Sequence, residues 1–250
     1  MSGKLSVENL SAGYDQLILK DIDLVIPKNK ISIILGSNGC GKSTLLKTMS
    51  KLLKASKGQV LLDSQNIHEY SSKTLAQRLG LMPQSPIVPE GITVCDLVSR
   101  GRFPYRQTLK PMSQEDYKAV EEAMELMKIT PLANRCMDEL SGGQRQRVWI
   151  ALALAQDTDI LLLDEPTTFL DIAYQIEILD LLSELNKKKG TTIVMVLHDI
   201  NLSARYGDYL FALSKGKLIA HGTPKEILTE QLVEEVYGMK CQIIEDPVSC

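Results

Sequence analysis

Long apolar runs are absent from this 250-residue chain: none approaches the ~18 residues that a membrane-spanning helix requires. Behind the opening Met1-Ser2-Gly3-Lys4-Leu5 there is no apolar core of a signal peptide, so the protein is expected in the cytoplasm. A basic field is lacking as well. With a formal net charge of −3 the chain offers nothing to attract a polyanion, and nucleic acid is not an expected partner. Five cysteines (Cys40, Cys95, Cys136, Cys241, Cys250), an odd number without CxxC spacing, indicate neither a zinc site nor a disulfide framework. Internal repeats, low-complexity segments and Pro/Gly/Ser-rich linkers are also missing, which argues for one domain with subdomains. What is present, 44% hydrophobic and 24% charged residues, is the composition of an ordinary globular protein.

Short apolar runs alternate with helical patterns, the mark of a largely parallel sheet covered by helices. Ile31 to Leu35, Val60 to Leu62, Leu79 to Met82, Ile160 to Leu163 and Thr191 to Leu197 are the strand candidates. Ile22, Leu24 and Ile26 alternate with Asp21, Asp23 and Val25, as in a half-exposed antiparallel strand. Tyr209 to Leu213 and Leu218 to Ala220 flank Ser214-Lys215-Gly216-Lys217 and predict a hairpin. Between Pro83 and Gln144 the strand pattern vanishes. There Ser113 and Asp116 resemble a capping box, and Tyr117, Val120, Met124 and Met127 recur at helical spacing, predicting a helical insertion in an α/β core.

Gly36-Ser37-Asn38-Gly39-Cys40-Gly41-Lys42-Ser43-Thr44 matches a phosphate-binding loop and lies between a predicted strand and a helix, where the pattern must lie to work. Its glycines let successive N–H groups face phosphates, Lys42 reaches the β- and γ-phosphates, and the Ser43 hydroxyl suits Mg²⁺. Amides at the helix start would lower the thiol pKa of Cys40; a small residue that merely fits is the simpler account. The run Ile160 to Leu163 ends in Asp164-Glu165-Pro166. A buried strand delivers Asp164 to its carboxyl end, suited to Mg²⁺, and Glu165 follows where it can orient or deprotonate an attacking water. Ser141-Gly142-Gly143-Gln144 opens a helix with amides and a hydroxyl, a second anion-binding turn. One chain with two phosphate-recognising turns makes sense if the second serves the nucleotide of another copy, so that two chains sandwich two ATPs head to tail.

In the order and spacing of these elements the chain resembles the ATP-binding-cassette transporter ATPases over essentially its whole length. The resemblance implies an α/β P-loop NTPase core with an N-terminal antiparallel β subdomain. It implies one domain over 1–250: core 1–84 and 145–250, and an inserted helical subdomain 85–144 carrying the signature Leu140 to Gln144. It implies ATP and Mg²⁺ as cofactors and matches Tyr14 to the adenine-stacking aromatic and Gln84 to the glutamine that senses Mg²⁺ and water. Asp171 matches the aspartate that communicates across the dimer, and His198 the histidine on the γ-phosphate; Thr167-Thr168-Phe169 departs from the commoner serine-containing version. The partners implied are a second copy, a membrane permease on whose inner face the chain sits and, indirectly, an extracytoplasmic solute-binding protein.

Within the insertion, Val94, Leu97 and Val98 are spaced to pack inward, and Gly101 with Pro104 ends that helix in a basic turn carrying Phe103 and Tyr105. This turn resembles the Gly-Arg-x-Pro-aromatic turn of the ferric siderophore, haem and cobalamin importer ATPases. So do His221-Gly222-Thr223-Pro224, Tyr237-Gly238 and Asp246-Pro247. Ferric siderophore is the cargo implied first, with haem, cobalamin or another solute as alternatives. A small-molecule kinase would share the loop but need neither Leu140 to Gln144 nor His198. A non-transport cassette of the repair type would carry long coiled coils, and one of the translation type two cassettes.

Overall fold

The computed structural model describes residues 5–84, 88, 90–107, 110–168 and 170–244. Phe169, Asp246, Pro247 and Cys250 lie outside the described residues. The chain forms two compact units, Met1–Glu69 with Thr192–Cys250, and Tyr70–Thr191.

In the first unit the chain begins with β1 (Leu5–Gly13), β2 (Leu17–Ile26), β3 (Ile31–Leu35), α1 (Lys42–Met49), β4 (Lys57–Leu62) and β5 (Gln65–Asn66). An antiparallel sheet runs β2-β1-β4-β5. In β2, Ile22, Leu24 and Ile26 are buried while Asp21, Asp23 and Val25 face out, as the alternation predicted. Val60 to Leu62, expected among the parallel strands, instead ends β4 and pairs antiparallel with β1, Val60 opposite Val7 and Leu62 opposite Leu5. Only Val60 and Leu62 are buried, so an unbroken apolar run conceals a one-sided strand. The pattern of β1 was not foreseen: Asn9, at φ 46°, interrupts its alternation, and the register with β2 shifts between Val7 and Leu10.

The second unit contains α2 (Ser72–Ala76), β6 (Leu79–Met82), α3 (Val94–Ser99), α4 (Gln114–Leu126), α5 (Gly142–Ala155), β7 (Ile160–Leu163) and α6 (Ile172–Lys189). Strands β6 and β7 are parallel, Leu79 opposite Ile160 and Met82 opposite Leu163. Val94, Leu97 and Val98 are buried in α3. The Ser113–Asp116 capping box starts α4, whose Val120 and Met124 turn inward; Tyr117, expected on that face, is exposed. Arg102 is also not where a basic surface turn would put it. It is buried, with Nε donating to Asp116 Oδ1 at 2.8 Å, Nη1 donating to the Ala155 carbonyl at 2.8 Å, and its guanidinium stacked 3.8 Å from the Tyr105 ring. Arg100 and Arg106 remain outside, together with Phe103.

The chain then returns to the first unit as β8 (Thr192–Val196), α7 (Ile200–Tyr206), β9 (Tyr209–Ser214), β10 (Lys217–Gly222), α8 (Pro224–Ile227) and α9 (Glu230–Tyr237). Strand order β10-β9-β3-β8 makes β3 central, parallel to both neighbours, with β10 antiparallel at the edge. All five residues of β3 are buried, and each large aliphatic among them contributes about 1.5–3 kcal/mol relative to exposure. That anchored strand aims the following loop. Residues Lys215 and Gly216, both at positive φ, close the predicted hairpin. Parallel strands joined through helices, with a separate antiparallel sheet, make this an α/β fold of the P-loop type. Among the described residues no helix is long and apolar enough to cross a membrane.

Candidate active site

In the first unit, β3 runs into the glycine loop and α1. Gly36, Gly39 and Gly41 take φ of 152°, 78° and 110°, and Gly41 caps α1 from the left-handed region. A Cβ on Gly36 would meet the Leu213 carbonyl oxygen at 2.4 Å and Cys40 Sγ at 2.5 Å, so only glycine fits. Lys42 is buried, and its ammonium donates to the Gly36 carbonyl at 2.7 Å and the Ser37 carbonyl at 3.0 Å. Ser43 and Thr44 lie in the first turn of α1, where the Thr44 carbonyl accepts the Thr48 hydroxyl; Asn38 and Gly39 are exposed at the loop's tip. Burial pushes the Cys40 thiol above its ordinary range, outweighing Lys42 and the backbone amides. Cys40 is therefore packed as a small buried residue, and burial prevails over the helix-start amides.

Behind the loop, the hairpin tip holds it. The Gly216 N–H donates to the Cys40 carbonyl at 3.1 Å, and the Gly216 carbonyl accepts from Lys20 of β2 at 2.8 Å. Tyr14 stands exposed in the turn between β1 and β2, its hydroxyl 3.4 Å from the Lys47 ammonium. An exposed ring beside α1, the helix that the loop opens, can take the face of a base. His198, exposed, follows Leu197 just beyond β8, and the next residue, Asp199, caps α7 by accepting the Leu202 N–H at 2.9 Å.

In the second unit, β7 delivers Asp164, 2% exposed, and its N–H donates to the Met82 carbonyl at 3.0 Å. Glu165 follows at φ 54°, a left-handed conformation that a non-glycine residue rarely adopts and that surrounding bonds must hold. Those bonds come from Gln84 Nε2 at 2.6 Å and the Thr168 hydroxyl at 2.9 Å, both onto Oε2. Thr168 was not singled out by sequence; its place three residues after Glu165, in a tight turn, was the available signal. Ser141 caps α5, its hydroxyl oxygen accepting the Gln144 N–H at 3.3 Å while Gln144 Oε1 accepts the Ser141 N–H at 3.0 Å. Gly142 is exposed and a Cβ there would meet nothing within 4 Å among the described residues, so none of them demands glycine; at Gly143 a Cβ would sit in ordinary contact with Leu170 and Tyr174. Asp171 is the N-cap residue of α6 but makes no side-chain capping bond, and it is exposed.

In the first unit a buried strand ends in a glycine loop that opens a helix, and in the second a buried strand ends in paired carboxylates; these two features define a nucleotide-hydrolysing P-loop protein. The sequence profile described as "ABC transporter" matches residues 19–168. The achromobactin transport ATP-binding protein CbrD of Dickeya dadantii (strain 3937) is 51% identical over 97% of this chain and 91% of its own length. The ferric enterobactin transport ATP-binding protein FepC of Escherichia coli (strain K12) is 49% identical over 98% of this chain and 91% of its own. A solved dimeric structure of MJ0796, a bacterial ABC transporter cassette, superposes with a TM-score of 0.78 at 31% identity, covering 88% of this chain and 98% of that one. The chain belongs to the ABC transporter family, as an ATP-binding subunit that hydrolyses ATP.

Proposed function

We propose that this ATPase energises import of iron chelates, ferric siderophores first, by driving a separate membrane permease from the cytoplasmic face, with an extracytoplasmic solute-binding protein supplying the cargo. The observation that carries the cargo is the half identity, over nearly the whole chain, to proteins named for achromobactin and ferric enterobactin transport. The turn Gly101-Arg102-Phe103-Pro104-Tyr105 supports the same reading, because buried Arg102 stiffens it and leaves the Phe103 ring outside for a permease to meet. The chain acts as one domain, 1–250, in which the insertion 85–144 is the handle on the permease.

Two copies sandwich two ATPs head to tail. Tyr14 stacks on adenine, and Gly36 to Thr44 wrap the phosphates with Lys42 on the β- and γ-phosphates. Ser141, Gly142, Gly143 and Gln144 of one copy close on the nucleotide of the other, and the open space over Gly142 supports that approach. Ser43, Gln84 and Asp164 offer hydroxyl, amide and carboxylate oxygens, the hard donors that would hold Mg²⁺. Bound there, Mg²⁺ would neutralise phosphate charge. Glu165 takes the proton of the attacking water, Gln84 and Thr168 orient its carboxylate, His198 meets the γ-phosphate, and Asp171 relays between copies. Opening and closing of the sandwich does transport work because the two states bind the permease differently.

Uptake of a labelled ferric siderophore tests this reading. Deleting the subunit should abolish uptake, and restoring it with the Glu165→Gln form should not rescue it. Unchanged uptake of siderophores, haem and cobalamin alike would overturn the cargo and leave the ATPase standing.

A further inference from the structure

Gly36 is gripped at both of its backbone polar groups. Its carbonyl accepts the Lys42 ammonium at 2.7 Å, while its buried N–H donates to the hydroxyl of Tyr237 at 3.2 Å, 201 residues further along the chain. Tyr237 is the last residue of α9. Gly238 stops that helix at φ 71°, its N–H returning to the Glu234 carbonyl, which fixes where the ring leaves the helix. Leu232 and Val236 of α9 pack on Ala212 of β9, with Ile219, Ala220, Ile227 and the Tyr237 ring around them. The ring is thus held by an apolar cluster and the hydroxyl is aimed at the loop.

We propose that Tyr237 is a positioning residue for ATP: its hydroxyl accepts the Gly36 N–H and holds the entrance of the phosphate loop from α9. This rests on Gly36 to Thr44 being the phosphate-binding loop. When phosphate draws the Lys42 ammonium away, the Gly36 carbonyl loses its partner, and the bond to Tyr237 remains to keep the residue in place. Burial pushes the phenol above its ordinary range, with Cys40 and Asp199 adding to the rise and the Gly36 amide opposing it, so the hydroxyl stays protonated at neutral pH. Without it the Gly36 N–H would be buried and unpaired, and the loop would relax to recover a partner.

The test is Tyr237→Phe in the full chain, which keeps the ring and removes only the acceptor. The KM for ATP, and the Kd for a fluorescent ATP analogue, should rise about 5-fold while kcat stays within about 2-fold. Ile227→Ala thins the same apolar cluster without touching the hydroxyl; it should lower the Tm and leave the KM within about 2-fold. An unchanged KM in Tyr237→Phe would overturn the proposal, as would an equal rise in both variants for equal loss of Tm. Lys42→Ala separates the underlying reading: if it kept full nucleotide affinity, the loop assignment itself would fail, whereas lost affinity there with Tyr237→Phe unaffected would sink only the role of Tyr237.

Discussion

Gln84 donates from Nε2 to Oε2 of Glu165 at 2.6 Å across 81 positions of sequence, and the Thr168 hydroxyl reaches the same oxygen at 2.9 Å. Two donors on one oxygen fix the plane of a carboxylate whose backbone is already held at φ 54°. Glu165→Gln preserves this shape and removes the basic oxygen. It should bind ATP with unchanged affinity and lose about 10²–10⁴-fold in kcat, measured as phosphate release. Turnover within a few-fold of the parent would mean that another group takes the proton.

Ser141→Arg places bulk and positive charge at the exposed start of α5. Because the first unit's loop is untouched, ATP affinity of the isolated chain should stay within a few-fold. Hydrolysis should nonetheless fall to background if the turn serves the nucleotide of a second copy. Light scattering gives the companion measurement: Glu165→Gln with ATP and Mg²⁺ should double in mass, and adding Ser141→Arg should keep it at monomer mass. Dimer in both, or in neither, would rule out the sandwich.

The buried pair of Arg102 and Asp116 predicts a pH dependence. Burial alone would raise the Asp116 carboxyl, but hydrogen bonds from Arg102 and Ser113 prevail and hold it below the ordinary carboxylate range. A carboxyl depressed on folding stabilises above its unfolded pKa, ~3.9, and that stability is lost as pH falls through the lower folded value. Asp116→Asn, which leaves a buried guanidinium without its counter-charge, should lower the Tm by roughly 10 °C at neutral pH. The gap between parent and variant should hold from pH 8 to about pH 5 and close below about pH 4. A gap independent of pH would show that the pair contributes packing alone.

What the sequence made legible was local. The glycine loop, the strand Ile160 to Leu163 with its carboxylates, and the Ser141 turn each lie within a few residues, where spacing alone states the geometry. Strands buried on both faces, such as Ile31 to Leu35, announce themselves as unbroken apolar runs, but Val60 to Leu62 shows that a one-sided strand can look the same. Charge was a poor guide to exposure: Arg102 reads as a surface base and is buried because Asp116 and the Ala155 carbonyl meet it from distant positions. Long-range bonds left no trace in spacing. Neither Gln84 on Glu165 nor Tyr237 on Gly36 could be read from the chain.

The ammonium of Lys42 rests on the carbonyls of Gly36 and Ser37, so if Lys42 takes phosphate as proposed, binding is an exchange rather than an addition. Two neutral acceptors are given up for anionic ones, so the number of hydrogen bonds barely changes and the difference lies in charge. The net gain is accordingly Coulombic, and nucleotide affinity should decline with ionic strength more steeply than the bond count would suggest. A buried lysine held this way is already oriented and largely withdrawn from water, so on that proposal the loop need not strip its hydration when the nucleotide arrives.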